Sequence, residues 1–278
     1  MTLDTSHLQI LISSALREDA AENDITGTAS IPAEHVGHAI ITAKEAGVLS
    51  GVTAASLVFE SVDAAINQQW RYSDGDTLQP GDIVCKLSGS MRSLLAAERT
   101  ALNFLQHLSG IATLTRKFVA AVTGTGCQIV DTRKTTPGMR ALEKQAVSHG
   151  GGINHRMDLA SGMLIKENHI EASGSITKAI AACRAHANKV WIEVECENLD
   201  ELGEAVTSEP DMILLDNMSE LDVRRARTMA PDSIILEASG NITLASARSY
   251  AETGVNRLAV GAITHSAPAL DLSMRISP

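Results

Sequence analysis

Residues 131–169 read DTRKTTPGMRALEKQAVSHGGGINHRMDLASGMLIKENH and concentrate groups that could do chemistry. Six are cations (Arg133, Lys134, Arg140, Lys144, Arg156, Lys166), three are histidines (His149, His155, His169) and four are acids (Asp131, Glu143, Asp158, Glu167). The whole chain carries a net charge of −10, so any anionic ligand must meet a local basic cluster such as this one. Any one of these cations read alone is a solvated surface charge. Arg133, Lys134 and Lys166 carry more weight, because each follows a short apolar segment. Glu195 and Asp216 close two later apolar segments. They could hold Mg²⁺ through water beside a substrate diphosphate, or form an ion pair with a nearby Lys or Arg. Ser239-Gly240-Asn241 and Gly261-Ala262 follow the last two such segments. There, backbone N–H groups and a helix start suit a phosphate. Gly150-Gly151-Gly152 allows close backbone approach to a ligand, or simply a turn. The sequence contains no GxSxG, HExxH, Walker A or strand-following GxGxxG motif. Three chemistries stay open: electrostatic catalysis on a polyanion with Mg²⁺, Schiff-base chemistry at Lys166, and anion binding without catalysis.

The elements that must position these groups show a clear rhythm. Apolar segments at 127–130, 163–165, 190–194, 212–215, 233–236 and 257–260 stop at Asp131, Lys166, Glu195, Asp216, Glu237 and Gly261. Helical stretches lie between most of them, and Asn198 with Glu201 and Ser219 with Asp222 are capping signals. Apolar strands alternating with helices predict βαβ units and a parallel sheet. The last four stops are 21, 21 and 24 residues apart, tight for a doubly wound sheet and suited to a barrel, with its site at the carboxyl ends of the strands.

Before residue 122 the text differs. A helix is expected over 7–19, an irregular loop over 24–31, strands within 35–52, a helix over 53–65, and short strands ending near Cys85. The segment 92–122 reads as strongly helical with a break at Ser109-Gly110, and the domain junction falls within it. The fold class expected is α/β: an α/β N-terminal domain over 1–108, an α/β barrel over 109–265, and a C-terminal segment, 266–278, packing back on the first domain.

Composition sets outer bounds. The 278 residues are 44% hydrophobic and 20% charged, an ordinary globular mixture. Aromatics are 3%, which excludes stacking platforms for single-stranded nucleic acid, and the acidic balance opposes nucleic acid and anionic membranes alike. The N-terminus lacks a signal-peptide pattern and no apolar run could span a bilayer, so a cytoplasmic protein is expected. Cys85, Cys127, Cys183 and Cys196 show no CxxC pairing and are expected as reduced, buried small hydrophobes.

The string DTRKTTPG, EKQAV, GGG-x-NHR-x-DL and LIKENHI closely resembles the quinolinate phosphoribosyltransferases. The resemblance continues through ERTALNFLQHLSGIAT, IEVECENLDEL, DMILLDNM, LEASGNI and ETGVNRLAVGAITHSAPALDLSM, from about residue 20 to the end. It implies an α/β N-terminal domain, an incomplete barrel of roughly seven strands, and a homodimer whose partner completes each active site, with room for assembly into hexamers. It also implies transfer from phosphoribosyl pyrophosphate to quinolinate with loss of CO₂, a role in NAD synthesis, and Mg²⁺. Carried over by motif, Arg99, Arg133, Lys134, His155, Arg156 and Lys166 would contact the quinolinate carboxylates and the pyrophosphate end, with Thr132 beside them. Glu195 and Asp216 would lie at the ribose hydroxyls and the metal. Lys134, Lys166, Glu195 and Asp216 would be the catalytic set. Ser239, Gly240, Asn241, Val260, Gly261 and Ala262 would cradle the 5-phosphate, with His265 nearby.

Two positions depart from the family pattern. The segment often reading REAGV is Lys44-Glu45-Ala46-Gly47-Val48 here, so Lys44 would keep the cross-subunit charge without the guanidinium fork. The phosphate loop reads SGN where SGG is commoner, and Asn tolerates the left-handed backbone such a loop needs. A related phosphoribosyltransferase with another acceptor is the alternative within this resemblance.

Overall fold

The computed structural model describes residues 5–187 and 189–277. In chain order the first half contains α1 (Thr5–Glu18), α2 (Ile25–Ser30), β1 (Val36–Ala43), β2 (Gly47–Val48), α3 (Val52–Val62), β3 (Asn67–Trp70), β4 (Thr77–Leu78), β5 (Ile83–Ser90) and α4 (Met91–Ala121). Then follow β6 (Gln128–Val130), α5 (Arg140–His149), β7 (Met163–Ile165), α6 (Glu167–Ser173), α7 (Ile176–His186), β8 (Ile192–Cys196), α8 (Leu199–Thr207) and β9 (Met212–Asp216). The chain ends with α9 (Glu220–Met229), β10 (Ile235–Ser239), α10 (Leu244–Ala251), β11 (Arg257–Ala259), α11 (Ala262–His265) and β12 (Leu272–Ser277). Two compact units result. One gathers 1–116, 136–151 and 266–278; the other gathers 117–135 and 152–265.

The first unit is built on an antiparallel sheet in the order β12-β1-β5-β3, with β2 and β4 paired beside it. The C-terminal strand β12 pairs with β1, from Ala43 opposite Leu272 to His38 opposite Ser277. Ala39, Ile41 and Ala43 alternate inward on β1, as a sheet with one covered face requires. Phe59 on α3, Ile12 on α1 and Leu94, Leu105 and Leu108 on α4 are fully buried. Each such side chain adds about 1.5–3 kcal/mol by leaving water.

Two expectations fail here for identifiable reasons. The segment 24–31 is not an irregular loop, because Asp24 caps α2, its carboxylate accepting the Thr26 and Gly27 N–H groups at 3.0 Å each. Helix α4 does not break at Ser109-Gly110. The Ser109 hydroxyl accepts the Ser50 N–H at 2.9 Å and donates to the Ser50 carbonyl at 3.1 Å. A methyl group on Gly110 would collide with the Pro268 carbonyl. Small residues admit a neighbouring chain against the helix; they do not interrupt it.

The second unit has a six-stranded parallel sheet in the order β6-β11-β10-β9-β8-β7. Helices lie among its strands, the arrangement of an incomplete α/β barrel. All six strands overlap the segments expected, with β8 and β10 starting two residues later than read. In place of a seventh regular strand, Ile153 makes an isolated parallel bridge to Val130 at the free edge of β6. The caps at Asn198 and Ser219 form: Asn198 Oδ1 accepts the Asp200 and Glu201 N–H groups, and Ser219 Oγ accepts the Asp222 N–H. Helix α5, within the range expected for the barrel, belongs to the first unit. Its His149 takes part in a 2.9 Å hydrogen bond with the buried Ser50 hydroxyl, and its Glu143 in one of 2.8 Å with His107 on α4. Cys85, Cys127 and Cys196 are buried, and burial pushes each thiol up to about 12, whereas Cys183 on α7 is only half-buried.

Candidate active site

Parallel pairing fixes which groups share a face. Strand β8 reads Ile-Glu-Val-Glu-Cys and is buried throughout. Successive side chains point to opposite faces, so Glu193 and Glu195 share one side and Ile192, Val194 and Cys196 the other. Leu164 pairs with Glu193 and Ile165 with Val194, so the next residue, Lys166, points to the side of Glu195. The Lys166 ammonium and Glu195 Oε2 meet at 2.5 Å. Burial raises the Glu195 pKa, the Lys166 contact opposes this, and the negative charge of Asp216 raises it further. The sequence left Glu195 between an ion pair and a metal ligand; the ion pair is present, with Asp216 adding a second carboxylate beside it. The Lys166 backbone N–H donates to His169 Nδ1 at 3.0 Å, holding the start of α6 where Lys166 stands.

Glycine and asparagine shape the neighbouring loops. Asp216 is the last residue of β9 and pairs with Ser239, the last of β10. Beyond them Asn217, Gly240 and Asn241 all take positive φ, at 54°, 96° and 50°. A methyl at Gly240 would collide with the Asn217 side chain. Asn241 Nδ2 donates to Asn217 Oδ1 at 3.2 Å, and Asn217 Nδ2 donates to Asp216 Oδ2 at 2.7 Å. Asn241 therefore adopts the backbone that glycine would have supplied and ties its loop to the end of β9.

At the carboxyl ends of β6 and β11, Thr132 Oγ1 accepts the Lys134 N–H at 3.0 Å, and the Thr264 hydroxyl donates to the Lys134 carbonyl at 2.7 Å. A methyl at Gly261 would stand 3.1 Å from the Lys134 stem and 3.3 Å from the His265 ring, so only glycine leaves both in place. The Val260 N–H donates to the Val130 carbonyl at 2.9 Å, and α11 opens at Ala262.

Arg133, His155 and Arg156 form a second group. Asp131 accepts the His155 N–H at 2.9 Å and the Asn154 amide at 2.6 Å. His155 Nδ1 accepts the Arg156 N–H at 2.7 Å, which assigns the ring proton to Nε2, and Nε2 donates to Glu193 Oε2 at 2.8 Å. Its ring meets Trp191 edge-on with centroids 5.5 Å apart. Burial lowers the Arg156 pKa and the positive charge of Arg133 lowers it further, so the two guanidiniums repel each other. Arg133 Nε is buried with no hydrogen-bond partner. Asp158, its pKa held down mainly by the Ser161 hydroxyl and the Ala160 N–H, feels the Arg133 charge as well.

Other positions fall elsewhere or were missed. Arg99 on α4 and Lys44 after β1 are exposed residues of the first unit. Glu237 does not end its strand: β10 continues to Ser239, and Glu237 is fully buried with its Oε1 3.6 Å from His155 Nε2. Glu195 likewise sits one residue inside β8, which runs on to Cys196. Glu193, Asn217, Trp191 and Arg257 were not singled out. An alternation of Glu with apolar residues inside a strand is the signal that could have found Glu193.

A parallel α/β barrel carrying cations, carboxylates and a glycine-lined loop where its strands end is a scaffold for binding a phosphorylated, multiply anionic small molecule. Residues 24–109 match the quinolinate phosphoribosyl transferase N-terminal domain and residues 111–275 the C-terminal domain of the same family. The chain belongs to the quinolinate phosphoribosyltransferase family. It is 44% identical over 267 residues to the nicotinate-nucleotide pyrophosphorylase [carboxylating] of Mycobacterium leprae (strain TN), covering 94% of each chain. It is 42% identical to a probable nicotinate-nucleotide pyrophosphorylase [carboxylating] of Bacillus subtilis (strain 168), covering 98% of this chain and 95% of that one. The solved nicotinate-nucleotide pyrophosphorylase of Francisella tularensis superposes with a TM-score of 0.96 at 39% identity, over 99% of this chain and 98% of that one. Among the described residues no helix is long and apolar enough to cross a membrane.

Proposed function

We propose that the chain transfers the phosphoribosyl group of phosphoribosyl pyrophosphate to quinolinate, giving nicotinate mononucleotide, pyrophosphate and CO₂, a step of NAD synthesis. The observation that carries the acceptor side is the pair of mutually repelling guanidiniums, Arg133 and Arg156, with a buried Arg133 nitrogen lacking a partner. Quinolinate brings two carboxylates, and guanidinium forks bind carboxylates bidentately. His155, held by Asp131 and Glu193, would orient beside them. The alternating Ser239-Gly240-Asn241 and Val260-Gly261-Ala262 loops would receive the 5-phosphate, with His265 nearby.

The pyridine nitrogen attacks the anomeric carbon as its bond to pyrophosphate oxygen breaks, and the electron pair leaves with pyrophosphate. The nitrogen lone pair needs no general base. The resulting ring is cationic, so the adjacent C–CO₂ bond can release CO₂ and leave its electron pair on carbon, which then takes a proton. Lys134 and Lys166 stabilise the departing pyrophosphate charge, as preorganised cations do. Glu195 and Asp216 face the ribose hydroxyls. Their two carboxylates against the single Lys166 ammonium leave a surplus of hard oxygen donors, which fits Mg²⁺. Mg²⁺ held there through water would screen the diphosphate charge. We also propose that a homodimer is the working unit, with the partner's Arg99 and Lys44 completing the quinolinate site.

With quinolinate, phosphoribosyl pyrophosphate and Mg²⁺, labelled carboxylate is expected to appear as CO₂ in a 1:1 ratio with nicotinate mononucleotide. Absence of product at every Mg²⁺ concentration defeats the reading, and faster turnover with nicotinate than with quinolinate replaces the acceptor. Sedimentation showing a fully active monomer defeats the dimer.

A further inference from the structure

Glu143 is fully buried, and no step of the proposed reaction uses it. It lies in the first half of α5 (Arg140–His149), and its carboxyl group faces two donors. Oε1 lies 2.8 Å from His107 Nε2 on α4, and Oε2 accepts the Thr136 N–H at 3.1 Å. Glu143, His107 and Thr136 all belong to the first unit.

Thr136 follows Arg133 and Lys134 in the loop 131–139 that joins β6 to α5. Within that loop Thr132 Oγ1 accepts the Lys134 N–H, the Thr135 N–H donates to the Arg133 carbonyl and the Met139 N–H to the Thr136 carbonyl, each at 3.0 Å. Bonds of this short range fix the loop's shape and leave its placement open. The bond from Glu143 is different in kind, because it ties the loop backbone to a helix, and through His107 to a second helix. Thr136 is exposed and the His107 side chain is 34% exposed. Without Glu143 water can take up both donors, so the fold survives while the loop loses its placement.

We propose that Glu143 is a positioning residue: together with His107 it holds the loop that presents Arg133 to quinolinate and Lys134 to pyrophosphate. Arg133 and Lys134 take these roles from the reaction proposed above, on which this reading rests. A guanidinium fork binds a carboxylate only when two N–H groups are aimed at once. A displacement of about 1 Å caused far from the chemistry can cost on the order of a hundredfold in rate.

The test uses the full chain, with amide hydrogen exchange over 132–139 and the KM for quinolinate and kcat as readouts. Glu143→Leu, of similar size, removes both acceptor oxygens. Glu143→Gln can replace them, its oxygen accepting the Thr136 N–H while its amide donates to His107 Nε2 in the other tautomer. The Leu variant is expected to exchange faster over the loop and to raise the KM for quinolinate about tenfold or more, with the Gln variant within about threefold of wild type. The losses in kcat/KM from Glu143→Leu and Arg133→Met should not add, since a misplaced fork has little left to lose. Unchanged exchange in the Leu variant overturns the tether. A normal KM in that variant, a Gln variant as impaired as Leu, or fully additive losses overturn the positioning role and leave Glu143 a part of the packing alone. If the Leu variant fails to fold, Thr136→Pro removes the donor at an exposed position and is judged by the same exchange and KM outcomes. Failure of the proposed reaction would appear instead as wild-type protein that forms no nicotinate mononucleotide, with the exchange difference between wild type and Glu143→Leu still deciding the tether.

Discussion

The two units bury their charged side chains in different settings. In the first, Phe59, Ile12, Ile41, Leu87 and Leu94 make an apolar core under an antiparallel sheet, and the buried charges, Glu143 and Lys144, lie on α5 away from that sheet's strands. In the second, the buried set includes Asp131, Glu193, Glu195 and Glu237, and the Lys166–Glu195 pair lies at the strand ends. Apolar layers usually fill a barrel of this kind, and burying charge costs several kcal/mol per ion unless partners repay it. The difference shows where this chain spends stability: the first unit's sheet strands bury apolar side chains, while the strands of the second carry buried carboxylates that folding alone would not select.

That contrast can be broken by substitution. The largest effect expected is on the apolar side. Phe59→Ala should cost about 3–5 kcal/mol of unfolding free energy in urea, from lost transfer energy plus the cavity left behind. Turnover per folded molecule should stay near wild type; an equal loss of turnover would mean that the first unit's core also tunes the chemistry. On the charged side Lys166→Met should lower kcat for CO₂ release on the order of 10²–10³-fold, the usual effect of removing one preorganised charge contact. The folded protein should survive, as its circular dichroism would show. A kcat within threefold of wild type would remove Lys166 from the catalytic set. The smallest change is at a helix cap: Asp24→Ala should cost about 1 kcal/mol, since two N–H groups at the start of α2 lose their acceptor. A cost below a few tenths would mean that α2 is held by packing and not by its cap.

Some of this was legible beforehand and some was not. Strand positions in the second unit were readable because each apolar segment ends at a charged or glycine residue and helical spacing follows. The capping of Asn198 and Ser219 was readable because a cap is local chemistry between residues three apart. The meaning of Ser109-Gly110 was not, because in sequence a small pair reads equally as a helix break or as room for another chain. Ser50 and Pro268, which decide between these, lie 59 and 158 residues away. The same applies to Asp24, whose cap was read as loop text because α2 is six residues long and carries little periodicity.

What the residues determined alone was periodic or compositional: the βα rhythm, the local basic cluster within an acidic chain, and the motifs that carry the family resemblance. Contacts across distance decided the rest. Glu195 became an ion-pair partner of Lys166 because β7 and β8 are neighbours in a particular register. Glu237 was buried because β10 runs two residues past it. Among the described residues Arg257 has the Met212 thioether as its hydrogen-bond partner, two strands away in the sheet. Periodicity follows from the geometry of a single element, whereas a side chain's partners depend on which elements pack together, and no local pattern encodes that.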